Sequence, residues 1–243
     1  CEVLRQLLLL EPSLDVTVVS AVPEWLIEQN TGHSLRIRRV SLDVGLVQRD
    51  SLSFYLRKTL DVLMAIKADS KKIVEGEIAF LQQEQAGGVV SDIAFLPFVA
   101  ADSVGIPSVG ISNFTWDWIY EVYEQHDPAW HDIIAWARNG YSYCSLFLRL
   151  PMAGDCSACP RIEAIPLIAR QSSRKREEVR RALGIVPEEK ALLLSFASLN
   201  LPEDTCRRLE RIEGITFIYK SPLDFPVARA RSIDGLGIAY VDA

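Results

Sequence analysis

The chain has 243 residues, room for one large domain or for one domain and part of another, and its 49% hydrophobic to 24% charged balance excludes disorder and fibrous repeats. Its 26 Lys and Arg against 32 Asp and Glu give a formal net charge of -6, so no general electrostatic attraction to nucleic acid or anionic lipid is expected. Apolar stretches are interrupted by charge before the ~18 to 20 residues a membrane span needs. Five scattered cysteines are an odd number and a poor basis for a disulfide framework, so a reducing, cytoplasmic setting is expected.

The opening segment to Pro12 reads as an amphipathic helix. Its apolar run Leu7 to Leu10 is preceded by Glu2 and Arg5 and followed by Glu11, where a signal peptide requires a small-residue cleavage site. The chain starts without Met and without a preceding strand, which leads us to expect a piece of a longer polypeptide. Val16 to Ser20 is a β-branched run and reads as a buried strand, and Leu35 to Val40 alternates apolar with basic as a half-solvated strand does. From Ser51 to about Glu84, Leu52, Leu56, Leu60, Leu63 and Ile66, then Ile73, Ile78 and Leu81, form a helical stripe, with Asp69-Ser70 placed to cap a second helix.

Gly87-Gly88 punctuates the chain before a short strand, Val89 to Asp92; an apolar helix from Ala94 to Val104 stops at Gly105, and Ser108 to Ile111 is a second buried strand. Strand, helix and strand within about 25 residues make a βαβ unit, so a parallel sheet and an α/β fold are predicted. A helical region from about Asp117 to Tyr141 and a strand from Ser145 to Leu150 follow. The loop from Pro151 to about Ser173, with Pro160 and Pro166, is the predicted domain boundary. A second α/β unit then begins: a charged helix from Arg174 to Leu183, a strand from Ala191 to Phe196, a helix from Pro202 to Arg211, and strands at Ile215 to Lys220 and near Ile238 to Val241.

Ligands of parallel α/β sheets bind at the carboxyl ends of the strands. Here those ends are Ser91-Asp92 and Ser112 to Trp118. Asp92 is placed to accept hydrogen bonds from sugar hydroxyls, although either Ser91 or Asp92 serves equally as a helix cap. Asn113, Thr115, Trp116, Asp117 and Trp118 put an amide, a hydroxyl, a carboxylate and two indoles into six residues, a set suited to a sugar's hydroxyls and apolar face. The bland alternative makes the indoles core and Asp117 a cap. As a ligand wall, Asn113 and Asp117 are expected to be partly open. The basic residues between Arg170 and Arg181 read as a solvated helix face with internal pairs, the alternative being a site for a diphosphate or an acidic partner. No GxGxxG or Walker sequence is present, and His33, His126 and His131 have no evident partners. Cys156-Ser157-Ala158-Cys159 supplies two of the four ligands a structural zinc needs, so no metal is predicted.

Val90-Ser91-Asp92, Gly105 to Val109 and Ser112 to Tyr120 together resemble nucleotide-sugar glycosyltransferase-like proteins of two-Rossmann (GT-B) architecture, nearest to the group whose N-terminal half precedes the kinase domain in plant arabinokinases. Cys1 to Arg5 and Arg176 to Gly184 share the likeness. The resemblance implies two Rossmann-like lobes with parallel sheets: residues 1–165 as an acceptor-side lobe lacking its first strand, and 166–243 as the beginning of a truncated donor-side lobe. It also implies a preceding strand and Gly/His-rich loop that would hold the catalytic base, and an inactive chain in their absence. Relatives carry a glycine-containing turn where this chain has Phe196-Ala197-Ser198-Leu199-Asn200.

The implied activity is transfer of a hexosyl or N-acetylhexosaminyl group from a nucleotide sugar, UDP-linked, to an acceptor hydroxyl, without a cofactor. Among the residues present, Asp92 and Asp117 are the acid/base candidates of second choice after the implied Gly/His-rich loop, with Ser91, Asn113, Thr115 and Trp116 shaping the acceptor pocket. The rival reading is a non-catalytic sugar- or nucleotide-binding regulatory domain associated with a sugar kinase.

Overall fold

The computed structural model describes residues 2–172, 174–196, 201–220, 227 and 230–236. In chain order its elements are α1 (Glu2–Leu10), β1 (Thr17–Val19), α2 (Glu24–Thr31), β2 (Arg36–Arg38), β3 (Gln48–Asp50), β4 (Ser53–Phe54), α3 (Leu56–Gln83), β5 (Val89–Ser91), α4 (Leu96–Ser103), β6 (Ser108–Ser112), α5 (Trp116–Glu121) and α6 (Ala129–Tyr141). They continue as β7 (Leu146–Arg149), β8 (Ile162–Ala164), α7 (Arg176–Ala182), β9 (Lys190–Leu193), α8 (Glu203–Glu210), β10 (Ile215–Tyr219) and β11 (Arg231–Ser232). Two compact units result: Cys1–Val47 with Leu56–Ile168, and Gln48–Tyr55 with Ala169–Ala243. Among the described residues, no helix is long and apolar enough to cross a membrane.

In the first unit β5, β6, β7 and β8 form a four-stranded sheet in that order, every neighbouring pair parallel. β1 and β2 pair separately, also in parallel. The central strand β6 alternates buried Ser108, Gly110 and Ser112 with half-buried Val109 and Ile111. Small residues at its buried positions let large side chains lie flat across it: a Cβ on Gly110 would stand 2.7 Å from the Phe147 ring and 3.1 Å from Phe98. α4 and α6 contribute Phe98, Ala137 and Tyr141 to a core with Phe147 of β7, while Leu60 and Leu63 of α3 meet Tyr120 of α5 and Trp130 and Ile133 of α6 in a second cluster. Trp116 and Trp136 touch both clusters and join them.

Local expectations and the fold differ at several points. The 51–84 stretch is not helical throughout, because Gln48 to Phe54 form an antiparallel hairpin and the helix starts only at Leu56. From there α3 runs unbroken to Gln83, since the Ser70 hydroxyl donates to the Lys67 carbonyl of the preceding turn (2.7 Å) instead of capping a new helix. Arg38 of β2 anchors the far half of α3 through an ion pair with the buried Glu77 at 2.6 Å. The expected helix from Asp117 to Tyr141 is two helices, with Pro128 just ahead of the second, where it removes an amide donor. The proline-rich loop contains β8, whose Ile162-Glu163-Ala164 has little strand propensity of its own and is held by the ladder to β7. α2 escaped the sequence pattern too. The turn at 197–200 and the strand expected near 238–241 lie outside the described residues.

In the second unit β9, β10 and β11 form a parallel sheet with β10 central. Ile218 of β10 packs with Val179 of α7 and Ile233, whereas its neighbour Phe217 packs with Cys206 of α8 and Val227. Side chains alternate across a strand, so these clusters cover opposite faces and make the unit doubly wound.

Gly140 in α6 tests the packing. A methyl group there gains about 1 kcal/mol of helix propensity, but it would sit 2.3 Å from the Phe95 ring, which Trp136 holds edge-on at 4.8 Å. Overpacking costs about 1 to 3 kcal/mol, so Gly140→Ala is expected to be destabilising by up to about 2 kcal/mol, read as a lower urea midpoint at unchanged slope. A stabilised variant would show that the α4–α6 contact is loose.

Candidate functional site

The site is built from the two turns that leave β5 and β6 at the carboxyl edge of the first unit's sheet. After β5 the chain reverses through Asp92 and Ile93, and Ile93 has φ 79, a left-handed conformation that a β-branched residue adopts only under constraint. Such strain costs about 1 to 3 kcal/mol and persists where the surroundings over-determine it. Here the Ser91 hydroxyl donates to the Ala94 carbonyl at 2.8 Å and the Tyr141 hydroxyl donates to the Ile93 carbonyl at 2.7 Å. Ile93 itself is buried in the core, and the turn leaves Asp92 exposed. Neither Ser91 nor Asp92 caps a helix, because α4 begins at Leu96 behind Phe95.

The same tyrosine controls the second turn. Its hydroxyl accepts the Trp116 amide proton at 3.1 Å, so one buried side chain holds both βα turns in register. Thr115 precedes α5 in extended backbone and is fully buried, its hydroxyl donating to the Asp155 carbonyl at 3.1 Å. Asn113 is half-buried, and its carbonyl accepts the Gly154 amide at 2.9 Å. The expected opening of Asp117 is not observed. It is 5% exposed, and its Oδ2 accepts from Arg138 Nε at 3.2 Å, while Arg138 also pairs with Glu121. Its Oδ1 is buried with no hydrogen-bond partner among the described residues. Trp116 stacks on Tyr120 (centroids 5.6 Å apart, 15° between planes) and meets Phe114 edge-on. Trp118 is partly exposed and lies against Gly154, where a Cβ would stand 2.5 Å from the indole.

The structure adds one carboxylate that sequence reasoning missed. Asp43, in the loop after β2, accepts the Trp116 indole proton at 3.1 Å, across 73 residues of sequence. Burial holds its carboxyl above the ordinary carboxylate range, the indole hydrogen bond opposes that, and the charge of Asp92 adds to it. Asp43 therefore lies near enough to Asp92 for the two to repel. Its loop is tied down by the Tyr120 hydroxyl donating to the Gly45 carbonyl at 3.1 Å and by the Val47 amide donating to the Thr59 hydroxyl at 3.0 Å. Gly45 has φ +58, and a Cβ there would be 2.8 Å from the Trp116 ring. Only glycine permits this approach. His33, His126 and His131 are exposed, and His131 Nδ1 lies 2.7 Å from Glu124.

No protein-family model matches the chain. Over 188 residues, 75% of its length, it is 34% identical to L-arabinokinase of Arabidopsis thaliana, and it spans 18% of that protein. Among solved structures, Arabidopsis thaliana UGT89C1 complexed with UDP-L-rhamnose superposes with a TM-score of 0.53 at 11% identity, over 95% of this chain and 65% of the other. The same protein complexed with UDP gives 0.50 at 15% identity, over 90% and 60%. The chain thus has the parallel-sheet α/β fold of the GT-B kind, and its likeness to an arabinokinase and to glycosyltransferase-like proteins stands.

Two changes probe this arrangement. Tyr141→Phe leaves the Ile93 carbonyl and the Trp116 amide without their shared partner, and is expected to cost about 1 to 3 kcal/mol for each group that stays dry, measured by denaturant unfolding. Asp43→Asn tests the cost of the buried charge. A carboxyl whose folded pKa is raised holds its proton more tightly in the folded state, so its penalty is absent below the unfolded value near pH 4 and sets in as pH rises through the folded value. Asparagine carries no such penalty. The stability of Asp43→Asn relative to wild type is expected to be greater at pH 7 than at pH 3, and a gap independent of pH would refute the assignment.

Proposed function

We propose that residues 1–165 form the acceptor-side lobe of a nucleotide-sugar glycosyltransferase and 166–243 the beginning of its donor-side lobe, acting in transfer of a hexosyl or N-acetylhexosaminyl group from a UDP-linked donor to an acceptor hydroxyl. The supporting observation is the strained turn that presents Asp92, exposed, at the carboxyl end of a parallel strand in a GT-B-like sheet. In this reading the Asp92 carboxylate takes the acceptor hydroxyl's proton, the freed oxygen bonds to the anomeric carbon, and the bond to the diphosphate breaks with its electron pair on the leaving group. Asp43, whose carboxyl is held above its ordinary range by burial and by the charge of Asp92, belongs in this reading to the same acidic edge and holds Trp116 in place through the indole N–H. The half-buried Asn113 faces the acceptor.

The remaining assigned residues act at one remove. The Ser91 and Thr115 hydroxyls are engaged by carbonyls of their own turns and loop, and Asp117 is held under Arg138. Trp116 has one ring face on Tyr120 and its indole N–H on Asp43, which makes it a support for the acid pair rather than a stacking platform.

The likeness to L-arabinokinase favours a second reading, a non-catalytic sugar- or nucleotide-binding regulatory domain associated with a sugar kinase. The two separate in one experiment on the full-length polypeptide, with UDP release from UDP-linked hexoses and N-acetylhexosamines measured in the presence of sugar acceptors beside calorimetric binding of UDP. Transfer predicts UDP release that Asp92→Asn lowers about 10²- to 10⁴-fold with UDP affinity unchanged. Ligand binding without UDP release, indifferent to Asp92→Asn, establishes the regulatory reading instead.

A further inference from the structure

The first unit ends at Ile168, and the chain that follows from Ala169 holds positive charge that the sugar-transfer reading leaves unused. Arg170, Arg174, Lys175 and Arg176 lie close together, and no Asp or Glu occurs between Glu163 and Glu177, in a chain whose formal net charge is -6. Ser172 stands among them, with Arg170 two places before it and Arg174 two places after. It is the only serine or threonine of the sequence with a basic residue two places away on each side. The structure puts this serine within reach of another protein. Residues 165–172 form neither helix nor strand, Gln171, Ser172 and Arg174 are exposed, and α7 starts only at Arg176. By contrast Ser91, Ser108, Ser112 and Thr115 are buried. The Ser172 hydroxyl accepts the Arg174 amide at 3.0 Å and donates to the Arg174 carbonyl at 3.2 Å, which makes a local turn. An exposed turn of this kind opens at little cost, because water replaces its hydrogen bonds.

We propose that Ser172 is a phosphorylation site for a basophilic serine/threonine protein kinase, one whose substrate cleft is lined with carboxylates. Protein kinases take their substrate as an extended segment and sort substrates by the charges on either side of the hydroxyl. A guanidinium on each side of Ser172 complements such a cleft, and Lys175 and Arg176 extend the positive field. The sequence offers no neighbouring carboxylate to repel it. An acidophilic kinase, whose cleft is basic, is turned away by the same residues. In the transfer, the Ser172 oxygen bonds to the γ-phosphorus of ATP while the bond from that phosphorus to the bridging oxygen breaks with its electron pair on ADP. The hydroxyl proton passes to a carboxylate of the kinase, and the products are phosphoserine and ADP.

The modification has an electrostatic consequence for the start of the second unit. A phosphoserine carries about -1.5 to -2 charges at neutral pH, so beside Arg170, Arg174, Lys175 and Arg176 it cancels about half of the local positive charge. Its oxygens accept charge-assisted hydrogen bonds from guanidinium and ammonium donors. Phosphorylation thus takes up cations that a diphosphate or an acidic partner would otherwise meet.

The test needs no sugar-transfer activity. The purified folded chain is incubated with magnesium ATP and the catalytic domain of protein kinase C, a basophilic enzyme, and in parallel with casein kinase II, an acidophilic one. Digestion after glutamate releases residues 164–177 as one peptide, on which the added phosphate, about 80 Da, is located by fragmentation. The basophilic kinase is expected to place it on Ser172 at an initial rate within about threefold of that for the free peptide 164–177, because the turn opens readily. The rate is expected to fall at least about tenfold when Arg170→Ala and Arg174→Ala are combined, and Ser172→Ala is expected to leave this peptide without phosphate. Casein kinase II is expected to leave it unmodified. No phosphate on 164–177 of wild type, phosphate on Ser173 instead, an undiminished rate in the double variant, or equal modification by casein kinase II each overturns the proposal. So does a folded chain that reacts at under about a tenth of the free peptide's rate. The wild-type map decides the matter even if a variant does not fold.

Discussion

The carboxyl edge of the first unit depends on one hydroxyl. Tyr141 ends α6 fully buried, donates to the Ile93 carbonyl and accepts from the Trp116 amide, and its ring packs in the core with Phe95 and Phe98. A buried peptide group without a partner costs about 1 to 3 kcal/mol, comparable with the strain at Ile93, so the hydroxyl bonds and the packing around them hold a turn that the local sequence would not adopt alone. The consequence is that Asp92 is fixed in place by residues distant in sequence.

Trp116 transmits the same constraint to a third segment. Its ring packs on Tyr120 and against Gly45, and its indole proton fixes Asp43. A half-buried carboxyl beside another carboxylate is an unfavourable feature that packing alone does not require. Burial raises the Asp43 carboxyl, and the Trp116 indole hydrogen bond offsets part of that cost. The buried Asp117 differs in kind: its charge is answered by Arg138, which itself remains half exposed, so the pair ties α5 to α6.

The second unit repeats the construction principle without these special contacts. Phe217 and Ile218 on adjacent positions of β10 feed two separate apolar clusters, and in the parallel order β11-β10-β9 only the central β10 is buried on both faces, β9 being largely exposed.

The sequence alone determined the order of most elements, because β-branched runs such as Thr17–Val19 and Ser108–Ser112 and the stripe through Leu60 and Leu63 are local signals, and strand-helix-strand spacing requires parallel pairing. It therefore also located the carboxyl ends at Ser91-Asp92 and Asn113 to Trp118. Elements whose stability is borrowed, such as β8 from its ladder with β7, carried no such signal. The tertiary structure decided which side chains face one another: Tyr141 bridging turns 48 and 25 residues away, Asp43 reaching Trp116 across 73, and Asp117 turned inward to Arg138. The physical reason is that periodicity records which face of an element is apolar, whereas a hydrogen bond or ion pair depends on the register of elements distant in the chain.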